Sequence, residues 1–381
     1  MSDITTSTAR DSERARHTPS DQSNEARRYI GETGLVRDGD RFDEKRLAGY
    51  LHDTVPGFKG PLVVRQFEGG QSNPTFLLDT PDAKYVLRRK PAGTLLKSAH
   101  AVDREFRIIR ALSSVDGIAV PEALVLCSDD SVIGSMFYVM RYVPGRIFWN
   151  CQMPDLNREE RAALYDSANE TLARLHTVDY AALGLADYGR PGNYFSRQIS
   201  RWSRQYESSR TEDIPEMDRL MAWLPGAVSA DDDLSCITHG DYSFHNLLVH
   251  PTEPRVVAVV DWELSTIGHP LGDLMYHTME WYRPAGVDAR GTLNGADLTA
   301  LGIPSLERYV ARYCERTGFT LSGNLDFYRA YNLFRVAAIL QGVAQRSMNG
   351  NAASANADEI TQLIKPLARA AWRFAIAGGA A

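Results

Sequence analysis

The strongest chemical pattern in the sequence occupies one short stretch, residues 238–249. There Asp241 and Asn246 stand five positions apart in a predicted loop, and an apolar strand follows. A second stretch, residues 256–263, is a β-forming run that leads to a carboxylate, Asp261. Phosphoryl transfer to an alcohol needs a carboxylate that orients the hydroxyl and accepts its proton, and it needs oxygen ligands for Mg²⁺. This set of side chains can supply both.

Two kinds of scaffold are predicted around these residues. Before residue 144, short β-forming runs are separated by turn residues, which predicts an antiparallel sheet crossed by one helix. After Val143-Pro144-Gly145, helical periodicity dominates. We therefore predict an α+β fold with a small N-terminal antiparallel sheet and a larger, mainly helical C-terminal lobe. The predicted strands are 62–67, 75–79, 85–88, 123–127 and 136–141, with further short strands within 236–251 and 256–261; the predicted helices are 43–55, 101–112, 158–176, 194–207, 218–224, 273–281, 306–317, 325–348 and 359–377.

The composition divides the chain into three parts. Residues 1–25 are rich in Ser, Thr, Asp, Arg and Glu and carry almost no large apolar groups, so we expect a mobile tail. Residues 26–143 are the predicted N-terminal nucleotide-binding lobe with a leading helix. Residues 144–381 are the predicted C-terminal lobe with the catalytic loop and the substrate pocket.

The bulk properties exclude several classes of protein. A formal charge of −6 argues against nucleic acid as the main partner, because phosphate binding usually needs a basic surface. The four cysteines form no CxxC pair, so neither a zinc site nor a disulfide framework is expected. No apolar run reaches the roughly 20 residues that span a bilayer. We expect a cytoplasmic protein that does not contact membranes, and the sequence leaves its oligomeric state open.

The loop resembles the protein-kinase catalytic loop, His-x-Asp-x-x-x-x-Asn, which is followed by a metal-binding Asp on the next hairpin. Gly240 in the middle of the motif, Asp-Trp-Glu at 261–263 and Gly-His-Pro-Leu-Gly-Asp at 268–273 are similar to the aminoglycoside phosphotransferase and choline kinase family. The resemblance implies a protein-kinase-like two-lobe fold, ATP and Mg²⁺ as cofactors, and a small-molecule hydroxyl as the acceptor. It also implies that Asp273 caps a helix and ties it to the catalytic loop.

The same resemblance assigns roles to individual residues. Asp241 becomes the catalytic base, Asn246 the second metal ligand and Asp261 the principal Mg²⁺ ligand. His239 becomes the residue that supports the loop from behind. His245 lies outside the family pattern and is interpreted as a loop residue.

The N-terminal lobe supplies the predicted nucleotide contacts. A Gly-rich turn at 69–73 takes the place of the nucleotide loop, a helix carries the equivalent of the kinase glutamate, and the segment at 140–143 matches the hinge whose backbone would hydrogen-bond the adenine edge. The predicted nucleotide-binding residues are Gly70, Ser72, Asn73, Arg88, Glu105, Met140 and Tyr142.

One of these residues departs from the kinase pattern. Arg88 stands where the phosphate-binding strand lysine is expected. Arginine can pair with phosphate and with Glu105, but its forked donors are not interchangeable with an ammonium group. Lys90 is the alternative, and strand alternation places it on the same face only if the strand continues to it.

Four phrases, at 85–91, 104–107, 137–140 and 334–342, resemble more closely the kinase-like N-terminal domain of certain large acyl-CoA dehydrogenases and its stand-alone bacterial relatives. This resemblance implies an acceptor linked to fatty-acid breakdown, a hydroxy acid or a hydroxyacyl-CoA. From the length of the sequence we expect no flavin domain after the kinase-like part.

Two other functions stay open. An aminoglycoside or macrolide kinase would need an acidic cleft for a polycationic substrate, and the Asp run at 231–233 is more simply a solvated loop. Tyr282 and Arg283 follow the catalytic region, and an Arg near the site favours an anionic substrate. A nucleotide-binding pseudokinase would account for Arg88, although the intact catalytic and metal-binding residues argue against it.

Overall fold

The computed structural model of the protein describes residues 33–68, 73–91, 101–229, 234–286, 290–321, 324–348 and 357–381, with only the backbone described for 357–360. The predicted tail, Gly70, Ser72 and the Asp run at 231–233 lie outside these residues. Within them, a small antiparallel sheet is followed by a mainly helical region. The predicted α+β, two-lobe fold is confirmed.

The N-terminal sheet has six strands among the described residues, in the order β1-β2-β3-β4-β6-β5, and neighbouring strands are antiparallel. They are β1 (Thr33–Gly34), β2 (Val63–Phe67), β3 (Thr75–Asp79), β4 (Lys84–Arg89), β5 (Ala123–Cys127) and β6 (Phe137–Arg141). In β4, Val86 faces the core shared with the rest of the molecule, whereas Tyr85 and Leu87 face a separate N-terminal core. Because side chains alternate along a strand, Arg88 lies on the Val86 face and Arg89 on the other.

The described helices are α1 (Glu44–Thr54), α2 (Val102–Leu112), α3 (Asp130–Ile133), α4 (Arg158–His176), α5 (Tyr194–Ser209), α6 (Pro215–Ala227), α7 (Pro270–His277), α8 (Leu298–Leu301), α9 (Leu306–Thr317), α10 (Leu325–Met348) and α11 (Ala357–Ala377). Helix α2 packs on the sheet through an apolar stripe that includes Val102 and Ile109, as the helical periodicity predicts. Helix α10 is buried along most of its length and packs against α5 and α11. No helix in the described ranges is both long and apolar enough to cross a bilayer.

Two short two-stranded sheets carry the motif residues. Strand β7 (Cys236–Thr238) pairs with β10 (Thr266–Gly268), and β8 (Leu247–Val249) pairs with β9 (Val256–Val259), both antiparallel. The catalytic loop connects β7 to β8, and Asp261 follows β9 closely. The pairing of β8 with β9 therefore brings the two motif stretches side by side.

Most predicted elements agree with the structure to within three residues, and the differences have local causes. Helix α7 begins at Pro270 rather than at residue 273, with the proline in its first turn, where the missing N–H costs nothing. Its predicted end, Thr278–Trp281, is a 3-10 helix. Strands β1 and β10 and helices α3 and α8 are two to four residues long, too short for a periodic pattern.

His277, at the end of α7, makes the stability of the fold depend on pH. Burial lowers the pKa of this imidazole to about 4, and the Tyr309 hydroxyl lies 2.8 Å from its Nε2. Between pH 6.5 and 4 the native protein keeps His277 neutral, whereas the unfolded chain binds the proton. The free energy of unfolding should therefore fall as the pH drops through this window, by about 2 kcal/mol at pH 5 from this residue alone.

Urea unfolding of the wild type and of His277→Gln at pH 7.5 and pH 5.0 measures this term. The glutamine can still accept a hydrogen bond from Tyr309 but does not titrate. We expect the variant to lose about 2 kcal/mol less than the wild type over this pH range. Equal losses in the two proteins would contradict the assignment.

Candidate active site

The catalytic loop begins with a turn that only glycine fits. Gly240 has φ +84°, and a Cβ at this position would lie 2.6 Å from the carbonyl oxygen of Leu264. The next residue, Asp241, is thereby turned toward Asn246, whose Nδ2 donates to Asp241 Oδ2 at 3.0 Å and to the Asp241 carbonyl at 2.9 Å. Because the amide nitrogen faces Asp241, the amide oxygen of Asn246 is turned away from it and suits a cation.

The carboxylate of Asp241 is held in its ionised form. Burial raises its pKa, but the neighbouring His245, Tyr276 and His239 side chains lower it by more, so that the pKa lies well below the usual range of an aspartate. The His245 Nε2 is 3.8 Å from Asp241 Oδ2. An ionised carboxylate at this position can accept a hydrogen bond from an alcohol.

Helix α7 and strand β9 hold the loop from behind. The carboxylate of Asp273 accepts the backbone N–H of His239 at 2.5 Å and that of Gly240 at 2.8 Å. The Nε2 of His239 lies 2.9 Å from the carbonyl oxygen of Val260. The predicted support of the loop by His239 and its attachment to Asp273 are thus confirmed. The predicted capping role of Asp273 is wrong, because the N-cap of α7 is His269, whose side chain accepts the N–H of Leu271.

Asp261 lies beside the loop in a conformation that is rare for a residue with a side chain. Its φ of 67° and ψ of 63° are left-handed, and such geometry in a non-glycine residue is concentrated at functional sites. The N–H of the preceding Val260 donates to the Asn246 carbonyl at 3.0 Å. The two predicted metal ligands, Asn246 and Asp261, are therefore on adjacent backbone segments.

Arg88 joins the sheet, helix α2 and the predicted metal site in one ion-pair network. Its Nε is 2.9 Å from Glu105 Oε2, and its Nη2 is 2.6 Å from Asp261 Oδ1. Burial lowers the pKa of Arg88, but Asp261 and Glu105 outweigh this effect and hold it above its usual value. Strand β4 ends at Arg89, so the condition under which Lys90 would take this place is not met.

Glu105 is the buried centre of this network. Asn73 Nδ2 donates to its Oε1 at 2.9 Å, and the Tyr138 hydroxyl donates to its Oε2 at 3.0 Å. Burial raises its pKa, and Arg88 offsets part of the rise. The structure therefore brings Asn73, Arg88 and Glu105 together, and their contact with a nucleotide stays a prediction. Tyr138, on β6, is an additional member that the sequence analysis missed.

The predicted hinge residues differ in what they can offer a nucleotide. Met140 lies within β6, between β4 and β5, and its side chain is buried. The N–H of Tyr142 donates to the Lys84 carbonyl at 3.1 Å, so the sheet already uses this donor. This N–H is therefore not available to the adenine edge, and the predicted backbone contact of the hinge would fall to the Tyr142 carbonyl or to the residues after it.

A cleft of about 320 Å³ lies beside the catalytic loop. It is formed by the segment 146–156 that follows the hinge, and its wall includes Phe148, Trp149 and Met153. The Trp149 and His245 rings are 5.1 Å apart, centroid to centroid. Arg283 does not reach an open surface: its side chain is fully buried and pairs with Glu280 at 2.7 Å. The inference of an anionic substrate from Arg283 is therefore wrong.

The residues present fit Mg²⁺ and a nucleotide. Asn246 and Asp261 offer hard oxygen atoms, and Mg²⁺ is usually held by one or two carboxylates together with phosphate oxygens and water rather than by a full protein cage. Among the residues that the structure describes, no group of three or more His, Cys, Asp or Glu side chains could hold a metal ion alone. Arg88, beside Asp261, places a cation where phosphate charge would need it.

Solved structures with the same fold include proteins of known activity. A protein from Ralstonia eutropha, named provisionally an aminoglycoside phosphotransferase, is 48% identical with a TM-score of 0.81, covering 88% of this chain and 99% of that one. Choline kinase from Cryptosporidium parvum has a TM-score of 0.58 at 11% identity, covering 87% and 95%. A thermostable mutant of aminoglycoside phosphotransferase APH(4)-Ia, in a ternary complex with ADP and hygromycin B, has a TM-score of 0.55 at 17% identity, covering 87% and 98%. The last two show the fold alone.

Curated relatives extend the comparison to longer proteins. Acyl-CoA dehydrogenase family member 11 from Gallus gallus is 46% identical over 344 residues, which is 88% of this chain and 44% of that protein. Family member 10 from Mus musculus is 43% identical over 338 residues, 88% of this chain and 31% of that protein. The chain thus spans less than half the length of these relatives.

The sequence pattern of the phosphotransferase enzyme family matches residues 63–314, from strand β2 to helix α9. This match covers more than half of the chain and includes the catalytic loop, Asp261 and the Arg88–Glu105 pair. The chain therefore belongs to the phosphotransferase enzyme family.

Proposed function

We propose that this phosphotransferase uses Mg·ATP to phosphorylate the hydroxyl group of a hydroxy acid or a hydroxyacyl-CoA. The observation that carries the reaction type is the joint placement of Asp241, Asn246 and Asp261, which are held by the hairpin pairing and by the Asp241–Asn246 hydrogen bonds. Both oxygen donors for a cation and an ionised carboxylate for an alcohol are in place.

Each residue has a distinct part in the proposed reaction. Asp241 would orient the acceptor hydroxyl and receive its proton as the oxygen attacks the γ-phosphorus of ATP, while the bond from that phosphorus to the bridging oxygen of the β-phosphate breaks and ADP leaves. Because the transition state is loose, a strong base is not needed and a low pKa is no obstacle. Asn246 and Asp261 would hold Mg²⁺, which neutralises charge on the phosphates when bound. Arg88 would share its guanidinium between Glu105 and the phosphate oxygens.

The cleft supports an acyl acceptor. Six of the nine residues in its wall are apolar, and its charged members are one arginine and one aspartate: Arg146, Ile147, Phe148, Trp149, Asn150, Met153, Pro154, Asp155 and Leu156. The chain of contacts from Trp149 to His245 and from His245 to Asp241 places this wall next to the proposed base. A hydrocarbon chain gains free energy on such a surface, whereas a polycation would need several carboxylates. The acyl-CoA dehydrogenase relatives point to the same substrate class.

The second candidate is an antibiotic kinase, which is favoured by the provisional name of the Ralstonia eutropha protein. A pseudokinase is less well supported. Arg88 itself pairs with Glu105 and with Asp261, and the predicted metal ligands are intact. A panel of acceptor molecules distinguishes these three functions.

Purified protein with Mg·ATP should phosphorylate at least one member of a panel of 3- and 4-hydroxy acids and their CoA esters, detected by mass spectrometry. Aminoglycosides and macrolides belong in the same panel. If an antibiotic is phosphorylated and no acid or CoA ester is, the protein is an antibiotic kinase. Nucleotide binding without any product would favour the pseudokinase.

Trp149→Leu tests the cleft directly. Loss of the indole surface should raise KM for the acyl acceptor by about tenfold, the equivalent of roughly 1.4 kcal/mol, and leave KM for Mg·ATP unchanged. Trp372→Leu is the matched control, because Trp372 is half-buried on α11, where it packs against Arg219. If the KM for the acceptor is unchanged in Trp149→Leu, the acyl chain does not bind in this cleft.

A further inference from the structure

Arg335, in the middle of α10, is a buried cation beside the catalytic loop. Its side chain is only 4% exposed. Among the described residues, no carboxylate lies within ion-pair distance of its guanidinium, although burying an unpaired charge is costly. Instead, its Nη2 donates to the carbonyl oxygen of Gly240.

That carbonyl belongs to the peptide unit that joins Gly240 to Asp241. The N–H of Gly240, on the preceding peptide unit, is bound by Asp273 of α7. The two peptide units on either side of Gly240 are thus fixed from two different helices. A glycine with positive φ has more conformational freedom than other residues, so the orientation of Asp241 depends on these two contacts.

The Arg335 guanidinium also lies over two aromatic rings, those of Tyr276 and Trp202. It lies 4.9 Å from the centroid of the Tyr276 ring and 5.6 Å from that of Trp202, within the range of a cation–π interaction. Tyr276 in turn is one of the groups that lower the pKa of the Asp241 carboxylate. Arg335 therefore contacts both the backbone before Asp241 and a ring that acts on its carboxylate.

We propose that Arg335 is a positioning residue for phosphoryl transfer, which fixes the Asp241 carboxylate through the Gly240 carbonyl and the Tyr276 ring. This inference rests on the proposed role of Asp241. The Arg335 side chain is buried and is not part of the wall of the cleft, so its effect should fall on turnover rather than on the binding of either substrate.

The test compares Arg335→Met and Arg335→Lys with Arg329→Met. Arg329 is on the same helix six residues earlier, where it pairs with Asp326 and lies over Tyr282, away from the loop. The first readout is hydrogen–deuterium exchange of the peptide covering 238–247. We expect exchange there to be about tenfold faster in Arg335→Met than in the wild type and in Arg329→Met, with the sheet strands β2–β4 unchanged.

The second readout is turnover of Mg·ATP with water as the acceptor, followed as ADP release. The kcat should fall by ten- to a hundredfold in Arg335→Met, with KM for Mg·ATP changed less than twofold, and Arg335→Lys should recover part of the loss. Loop exchange equal to the wild type would overturn the positioning role. If exchange is faster in Arg335→Met but the wild-type protein turns over no ATP with water or with any acceptor of the panel, Arg335 holds the loop and the proposed function is refuted.

Discussion

Asp241→Asn should lower kcat for phosphoryl transfer by roughly 10²- to 10⁴-fold, the usual contribution of a positioned base. The substitution keeps the size of the side chain and removes only its charge and its capacity to take a proton. The wild-type carboxylate is ionised at neutral pH because His245, Tyr276 and His239 offset the effect of burial. An amide at this position can still occupy the space but cannot accept the proton of the attacking hydroxyl.

Nucleotide binding should survive this change. The nucleotide contacts are predicted on Asn73, Arg88 and Glu105, which belong to the other lobe. We therefore expect the Kd for Mg·ADP, measured by calorimetry, to stay within about threefold of the wild type. Asp187→Asn is the matched control, because Asp187 is a surface carboxylate with 76% of its side chain exposed. Retention of more than a tenth of the wild-type kcat in Asp241→Asn would remove Asp241 from the role of base.

The parts of this site that could be predicted from the sequence are the local ones. Asp241 and Asn246 are close because a loop of five residues cannot separate them far, and Asp261 joins them because it follows the strand that pairs with β8. Strand alternation gives the face of β4 on which Arg88 lies, and helical periodicity gives the face of α2 on which Glu105 lies. In each case the pattern lies within a single element or a single hairpin.

The missed residues reach the site from distant parts of the chain. Tyr138, Tyr276 and Arg335 resemble ordinary core or surface positions in the sequence, and their contacts with Glu105, Asp241 and Gly240 depend on how whole helices and strands pack. Arg335 is separated from Gly240 by 95 residues. A buried arginine within an apolar helix pattern was the available signal, because such residues are rarely buried without a partner.

The opposite error arises where a residue is close to the site in sequence but its side chain or N–H is not accessible at the site in the structure. Arg283 follows the catalytic region closely, yet its side chain is buried against Glu280 and the Gly291 carbonyl. Tyr142 matches the hinge by position, but its N–H belongs to the hydrogen-bond ladder with Lys84. Neither outcome has a signature in residue type or spacing, since both depend on which neighbour a group finds in three dimensions.

Arg88→Met should have the largest effect on stability, because it leaves the buried Glu105 carboxylate without its cation. The Glu105 side chain is 1% exposed, and Arg88 is its cationic partner at 2.9 Å. Removing one member of a buried ion pair typically costs about 3–5 kcal/mol. The pKa of Glu105 is already raised by burial, and losing Arg88 raises it further. Its native form then binds a proton more readily than the unfolded chain, so the destabilisation should shrink as the pH falls from 8 to 5.

The double variant Arg88→Met/Glu105→Gln separates stability from function. A neutral glutamine needs no cation and can keep the hydrogen bond from Tyr138, so most of the lost free energy of unfolding at pH 7.5 should return. Turnover of Mg·ATP should not return, because the cation beside Asp261 is still missing. Arg88→Lys should keep the pair with Glu105 but contact Glu105 and Asp261 less well together, since a single ammonium lacks the guanidinium fork. If the double variant regained ATP turnover, Arg88 would be a structural partner of Glu105 with no part in binding phosphate.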